Sequence, residues 1–149
     1  MDFYLVRHGE AVSETFDPQR PLTRVGREEV ERVAGVAASR KIGVSAILHS
    51  GILRAKQTAE IFAKVLTPAV AVQQITGLLP QDDPIIVKAE LEAAESSVML
   101  VGHLPHMNRL AALLVQGDTD RQVVEFSPAM LVCCSRDGSQ WKIAWTLAP

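Results

Sequence analysis

Residues 98–103 read Val98-Met99-Leu100-Val101-Gly102-His103. An unbroken apolar run of this length predicts a strand buried on both faces, the pattern of a parallel sheet covered by helices. Parallel neighbours require crossover helices, and the flanking chain offers both. Upstream, Phe3–Val6 and Ala46–His49 read as strands, and Val70–Ile75 as a third. Thr23 is placed to N-cap a helix whose Val30, Val33, Ala34 and Ala37 recur at helical spacing. A second helix, capped by Ser50, carries Ala55, Ala59, Phe62, Ala63 and Leu66 and stops at Pro68. After the loop Gly77–Asp83, the pair Asp83-Pro84 starts a short helix running to Ala94, with Pro84 at its first position. His103 opens a fourth helix, with Pro105 in its first turn, Leu110, Leu113 and Leu114 on its apolar face and Gly117 at its end. The chain closes on a hairpin: Met130–Ser135, the turn pair Asp137-Gly138, then Trp141, Ile143, Trp145 and Leu147 in alternation. Period-two spacing puts both tryptophans on one sheet face. The expected fold is α/β: three layers, α/β/α, with a mostly parallel central sheet and a C-terminal antiparallel hairpin.

Length and composition narrow the possibilities. The chain has 149 residues, 48% of them hydrophobic, which suits one domain spanning residues 1–149. A net charge of −2 argues against non-specific nucleic-acid binding, which needs a basic surface. No apolar run approaches the ~20 residues of a membrane span. Asp2 stands where a signal peptide would carry positive charge, so the expected compartment is the cytoplasm. Cys133 and Cys134 are adjacent in a strand and point to opposite faces, which suits packing rather than a disulfide. The run Arg27-Glu28-Glu29-Val30-Glu31-Arg32 reads as a solvated helix face.

In open α/β sheets, ligands sit beyond the carboxyl ends of the strands. Three of the predicted strands end in Arg7-His8-Gly9, in His49-Ser50-Gly51 leading to Arg54, and in Gly102-His103. Parallel strands deliver these to one rim, which then holds two arginines and two or more histidines without a matching cluster of carboxylates. Such a rim is costly to assemble unless an anion belongs there, and guanidinium groups grip phosphate oxygens bidentately. Ser50 and Arg54, one helical turn apart, can address the same anion at a helix N-terminus. Gly9 and Gly51 let backbone approach the ligand. His49, inside a strand, reads as a hydrogen-bonded core residue. His106 with His103 and Glu10 could form a metal site, but arginines in the same rim repel a cation. No metal or cofactor is expected.

The stretches LVRHGEA, SGILRAKQT and VGHLPH resemble the three signature stretches of the histidine phosphatase superfamily, which has the phosphoglycerate-mutase-like fold. The short length, RPLTRVG and LLP add a closer similarity to its SixA-type phosphohistidine phosphatases. The resemblance implies that His8 is the nucleophile, becoming a phosphohistidine, and that Arg7, Arg54 and His103 hold the phosphoryl oxygens, with Gly9 and Ser50 in support. It implies a phosphatase acting on phosphohistidine in a protein such as a histidine-phosphotransfer domain or phosphocarrier. Neighbouring cations favour the neutral, nucleophilic imidazole.

Two features depart from larger relatives. GEAVSETF lacks the Asn that follows their RHG, and the general acid is open among Asp82, Asp83 and Glu10. Asp83 reads more readily as a helix N-cap than as a catalytic acid, and Glu10 equally as an exposed loop charge. A phosphohistidine leaves as an easily protonated imidazole, so a weak acid or water suffices. Few residues remain for a lid, so the rim should be open, which suits a histidine on a protein surface. The chain is expected to act as a monomer. The rival readings are a broad small-molecule phosphomonoesterase or phosphoglycerate-mutase-like enzyme, and a non-catalytic phosphoprotein-binding module.

Overall fold

The structure is a computed structural model describing residues 1–149. Its elements run β1 (Asp2–Arg7), α1 (Arg24–Ser39), β2 (Ala46–His49), α2 (Leu53–Leu66), β3 (Gln73–Gln74), α3 (Ile85–Ala93), β4 (Val98–Gly102), α4 (His106–Gln116), β5 (Leu131–Asp137) and β6 (Gln140–Leu147). The six strands form one sheet in the order β3-β2-β4-β1-β5-β6. The first four in that order are parallel, and β5 and β6 add antiparallel pairs beyond β1.

Alternation along the strands sorts side chains into two cores. Tyr4, Val6, Met99 and Val101 meet α1 and α2 through Val30, Val33, Ala34, Ala37, Ala55, Ala59 and Phe62. Phe3, Leu5 and Leu100 meet α3 and α4 through Val87, Leu91, Met107, Leu110 and Leu114. Each large side chain fully buried here contributes about 1.5–3 kcal/mol of transfer free energy. β4 supplies both cores, which is why its run is apolar without a break. Cys133 joins the first core and Cys134 the second, and both are free. No helix is long and apolar enough to cross a membrane.

Helix starts follow backbone rules more closely than the sequence reading did. Thr23 caps α1 as expected, its Oγ1 accepting from Gly26 N–H at 2.8 Å. Ser50 does not cap α2, because Gly51 lies between them at φ +92°, a conformation no helix admits. Pro84 and Pro105 sit at N-caps rather than inside their helices. The residue before a proline is driven out of the α region, so Leu104 cannot be helical and His103 precedes α4 instead of opening it.

Two further expectations change. Val70–Ile75 contracts to the two-residue β3, because at the sheet edge only β2 is there to pair, and Val70 is exposed. The tryptophans lie on opposite faces. A bulge opposite Cys133/Cys134 inserts Ala144 between the pairs Cys134↔Ile143 and Cys133↔Trp145. One extra residue reverses the facing of everything beyond it. Trp141 therefore packs on Phe3, ring centroids 5.4 Å apart, and Trp145 on Tyr4 at 6.1 Å. The hairpin turn itself is Gly138-Ser139, closed by the pair Asp137↔Gln140.

Candidate active site

The parallel register builds the site. β1 pairs with β4 so that Arg7 lies beside Gly102, which puts His8 beside His103 one residue later. Their ring centroids are 5.0 Å apart, and His8 N–H donates to the Gly102 carbonyl at 3.0 Å. β2 pairs with β4 so that His49 lies beside Val101, and Ser50 Oγ then reaches His103 Nε2 at 2.6 Å. The predicted rim residues Arg7, His8, Ser50 and His103 thus converge at the carboxyl ends of three adjacent strands, with Arg54 in the first turn of α2.

His8 Nδ1 lies 2.7 Å from the Gly9 carbonyl, which can only accept, so Nδ1 carries the proton and Nε2 keeps a free lone pair. Burial pushes the His8 pKa down to about 4; the Gly9 bond opposes this, while Arg54, Arg7 and Arg20 add to it. Burial likewise lowers His103 to about 3, with His8, Arg54, His106 and Arg20 contributing. Both imidazoles are neutral at physiological pH. Arg7 Nη1 donates to the Phe126 carbonyl at 2.9 Å. Arg7 Nε, Arg54 Nε and His103 Nδ1 are buried and have no partner within the protein. No site cation forms a salt bridge; the three ion pairs present, Arg24–Glu28, Lys56–Glu60 and Lys88–Glu92, are i,i+4 pairs on helix surfaces. A neutral imidazole among guanidinium groups with free donors can receive a tetrahedral oxyanion and present Nε2 to its central atom.

Three residues that the sequence reading left unassigned complete the arrangement. Arg20, held at φ +49°, donates from Nε to the Val12 carbonyl at 3.0 Å and adds its charge to His8, His103 and Arg54. Thr58 Oγ1 donates to the Arg54 carbonyl at 2.8 Å and accepts from Gly9 N–H at 3.1 Å, tying α2 to the His8–Gly9 turn. Gln57 Oε1 accepts from Leu22 N–H at 2.8 Å, tying α2 to the segment after Arg20. The spacing of Gln57 and Thr58, three and four residues from Arg54 on α2, was the available signal for those two.

Each of the two glycines also has a structural duty. A Cβ on Gly9 would stand 2.7 Å from Val30 Cγ2 and 3.1 Å from the Gly26 carbonyl, so this glycine admits α1 against the site turn. Gly51 supplies the left-handed turn into α2. His49 is buried, its Nδ1 accepting from Gly51 N–H at 3.0 Å, as a core histidine should. The three candidate acids are each engaged locally. Glu10 accepts from Thr23 Oγ1 at 3.0 Å, Asp82 from Leu79 N–H at 3.0 Å, and Asp83 from Ile85 N–H at 3.0 Å. His106 is fully buried, neither of its ring nitrogens has a partner within the protein, and burial lowers its pKa.

Residues 3–79, just over half of the chain, match the histidine phosphatase superfamily (branch 1). The phosphohistidine phosphatase SixA of Escherichia coli (strain K12) is 32% identical over 124 residues, covering 80% of this chain and 77% of that protein. An uncharacterized protein of Picosynechococcus is 35% identical over 127 residues, covering 80% and 76%. A structure of the protein histidine phosphatase SixA complexed with tungstate has a TM-score of 0.88 at 28% identity, covering 99% of this chain and 97% of the other. Sequence, fold and the order of the strand-end motifs agree, and the chain belongs to the histidine phosphatase superfamily (branch 1), as a protein of the SixA type.

Proposed function

We propose that this phosphatase removes the phosphoryl group from phosphohistidine on a protein, such as a histidine-phosphotransfer domain or a phosphocarrier, through a covalent intermediate on His8. The observation that carries the reading is the state of His8: neutral, its Nδ1 proton held by the Gly9 carbonyl, with cations on several sides. His8 Nε2 attacks phosphorus as the P–N bond to the substrate imidazole breaks, and the departing nitrogen takes a proton from solvent. Water then attacks the phosphorus on His8, releasing inorganic phosphate and restoring the neutral ring. Arg7 and Arg54 hold the equatorial oxygens with their free N–H groups, Arg20 adds charge, and fixed guanidinium groups supply the stabilisation that phosphoryl transfer needs. Ser50 Oγ accepts from Ile52 N–H at 3.2 Å and lies 2.6 Å from His103 Nε2; with the Ser50 hydroxyl donating to Nε2, His103 Nδ1 carries the proton and is free to donate to the phosphoryl group. Gly9 and Ser50 act as supports, the chain works as one domain and as a monomer, and the cytoplasm is its compartment.

The relatives support this choice of substrate: the Escherichia coli relative is named a phosphohistidine phosphatase, and a SixA structure holds tungstate, an oxyanion shaped like phosphate. The experiment is to incubate the protein with a radiolabelled phosphohistidine protein and quench rapidly. An acid-labile, alkali-stable phosphoenzyme that disappears in His8→Ala is expected. Turnover without such an intermediate, or an intermediate that persists in His8→Ala, removes His8 from the mechanism. Faster turnover of a phosphoserine peptide or p-nitrophenyl phosphate would favour the phosphomonoesterase.

A further inference from the structure

We propose that the loop from Val12 to Arg20 is the protein-docking rim of the phosphate pocket, and that Phe16 is its apolar anchor. The occupant is a folded protein that carries an exposed apolar side chain on the same surface as its phosphohistidine; this rests on the function proposed above. Phe16 is 83% exposed, the most open large hydrophobic side chain in the molecule. A solitary surface hydrophobe by itself signifies little. This one stands on a loop that hydrogen bonds make rigid. Phe16 N–H donates to the Ser13 carbonyl at 3.1 Å, Asp17 N–H to the same carbonyl at 3.0 Å, and Arg20 N–H to the Asp17 carbonyl at 3.0 Å. Val12 N–H closes the base on the Pro21 carbonyl at 2.9 Å, and Arg20 Nε returns to the Val12 carbonyl at 3.0 Å.

The same short loop therefore plants a guanidinium beside His8 at one end and offers an aromatic ring to solvent at its tip. Arg20 follows Phe16 by four positions, no more than about 14 Å of chain. A standard protein interface of ~800 Å² per partner spans roughly 30 Å, so the footprint of a partner whose phosphoryl group reaches His8 is wide enough to extend onto this loop. Its exposed neighbours Ser13, Glu14, Thr15, Pro18 and Gln19 are polar or small, the arrangement of an anchor inside a hydrated rim. Because the loop is already ordered, seating the ring costs little conformational entropy. The pocket cations attract any phosphoryl group, whereas the ring selects for protein surface beside it.

The test compares wild type, Phe16→Ala and Phe16→Leu on two substrates: a panel of phosphohistidine proteins, including a histidine-phosphotransfer domain phosphorylated with phosphoramidate, and phosphoramidate itself. For Phe16→Ala, kcat/KM on the phosphoprotein should fall about tenfold or more, through KM, while phosphoramidate turnover stays within twofold. Phe16→Leu should recover most of the loss. An unchanged phosphoprotein kcat/KM overturns the proposal. Equal losses on both substrates also overturn it, reducing Phe16 to a support for Arg20. Wild type that consumes phosphoramidate but none of the phosphoproteins overturns the functional reading itself, a result visible before any variant is made.

Discussion

The two ends of β1 each gather arginine, and they use it differently. At the amino end, Arg136 donates to the carbonyls of Leu91, Glu92 and Ala94 at the C-terminus of α3, and its guanidinium faces the Phe3 ring 5.1 Å from the centroid. This cation closes a helix end where unpaired carbonyls and the helix dipole favour positive charge. At the carboxyl end, Arg7 makes one bond to the Phe126 carbonyl, and the Nε groups of Arg7 and Arg54 are buried without a protein partner. Charge alone does not mark a functional arginine. Donor capacity that the fold leaves free does, because buried unpaired donors are destabilising unless a ligand satisfies them.

That contrast predicts opposite phenotypes. Arg54→Ala should lower kcat about 10²–10³-fold, the usual cost of removing one charge-stabilising donor. Its melting temperature should hold or rise, since one of several mutually repelling cations is gone. Arg136→Ala should leave kcat/KM within about twofold but cost about 2 kcal/mol of stability, the range for hydrogen bonds to a charged group. Steady-state kinetics and urea unfolding of both variants measure the two axes. If Arg136→Ala proves the more damaging to catalysis, the distinction between the two ends is broken.

The pocket end should also be the acid-sensitive end. His8 at about 4 and His103 at about 3 are held below the ordinary histidine value near 6.5, chiefly by burial. Between those folded values and 6.5 the unfolded chain binds more protons, so stability rises with pH in that window and is lost as pH falls from about 6.5 toward 4. Each histidine can contribute up to about 1.4 kcal/mol per pH unit there. Unfolding midpoints from pH 7 to 4.5 should show the loss in wild type and a flatter profile in His8→Asn. Added tungstate should raise the wild-type midpoints by mass action, and His8→Asn much less. Identical slopes in the two proteins would remove burial of a neutral His8 from the account.

What the sequence disclosed divides along similar lines. The run Val98–Val101 was legible because burial on both faces leaves only apolar residues, and the rim followed from strand polarity. Cys133 and Cys134 fell on opposite faces because alternation is local. The tryptophans did not, because the bulge at Ala144 has no signature in an alternating pattern. The link from Ser50 to His103 needed the register of β2 on β4, a tertiary fact, although both residues were singled out beforehand. Arg20 was hidden for a similar reason: it sits in a loop at a left-handed backbone position, and its Nε returns to the Val12 carbonyl, neither of which a linear pattern shows. Gly9 also has a packing duty that the linear pattern hides, since its neighbour in space is α1.

The smallest expected effect concerns the Gly77–Asp83 loop, whose carboxylates are occupied by local backbone bonds. Asp82 and Asp83 each accept from a nearby backbone N–H, and Asp83 does so at the start of α3. A group that already closes a turn has to leave it before it can protonate a substrate. The imidazole of a phosphohistidine is readily protonated by solvent and departs as a neutral ring, whereas an alkoxide is a far stronger base and a poorer leaving group, so the P–N bond breaks without a carboxylic acid from the enzyme. An Asp82→Ala/Asp83→Ala double variant should therefore keep phosphohistidine turnover within about threefold and show an unchanged pH profile, while losing about 1 kcal/mol of stability for each turn or cap broken. A loss beyond about a hundredfold, the range of general acid catalysis, would make one of these carboxylates the acid and its present bond a resting position. Poor alkoxide leaving groups sharpen the result: if the double variant loses phosphoserine turnover but not phosphohistidine turnover, the acid matters only where the leaving group cannot manage alone.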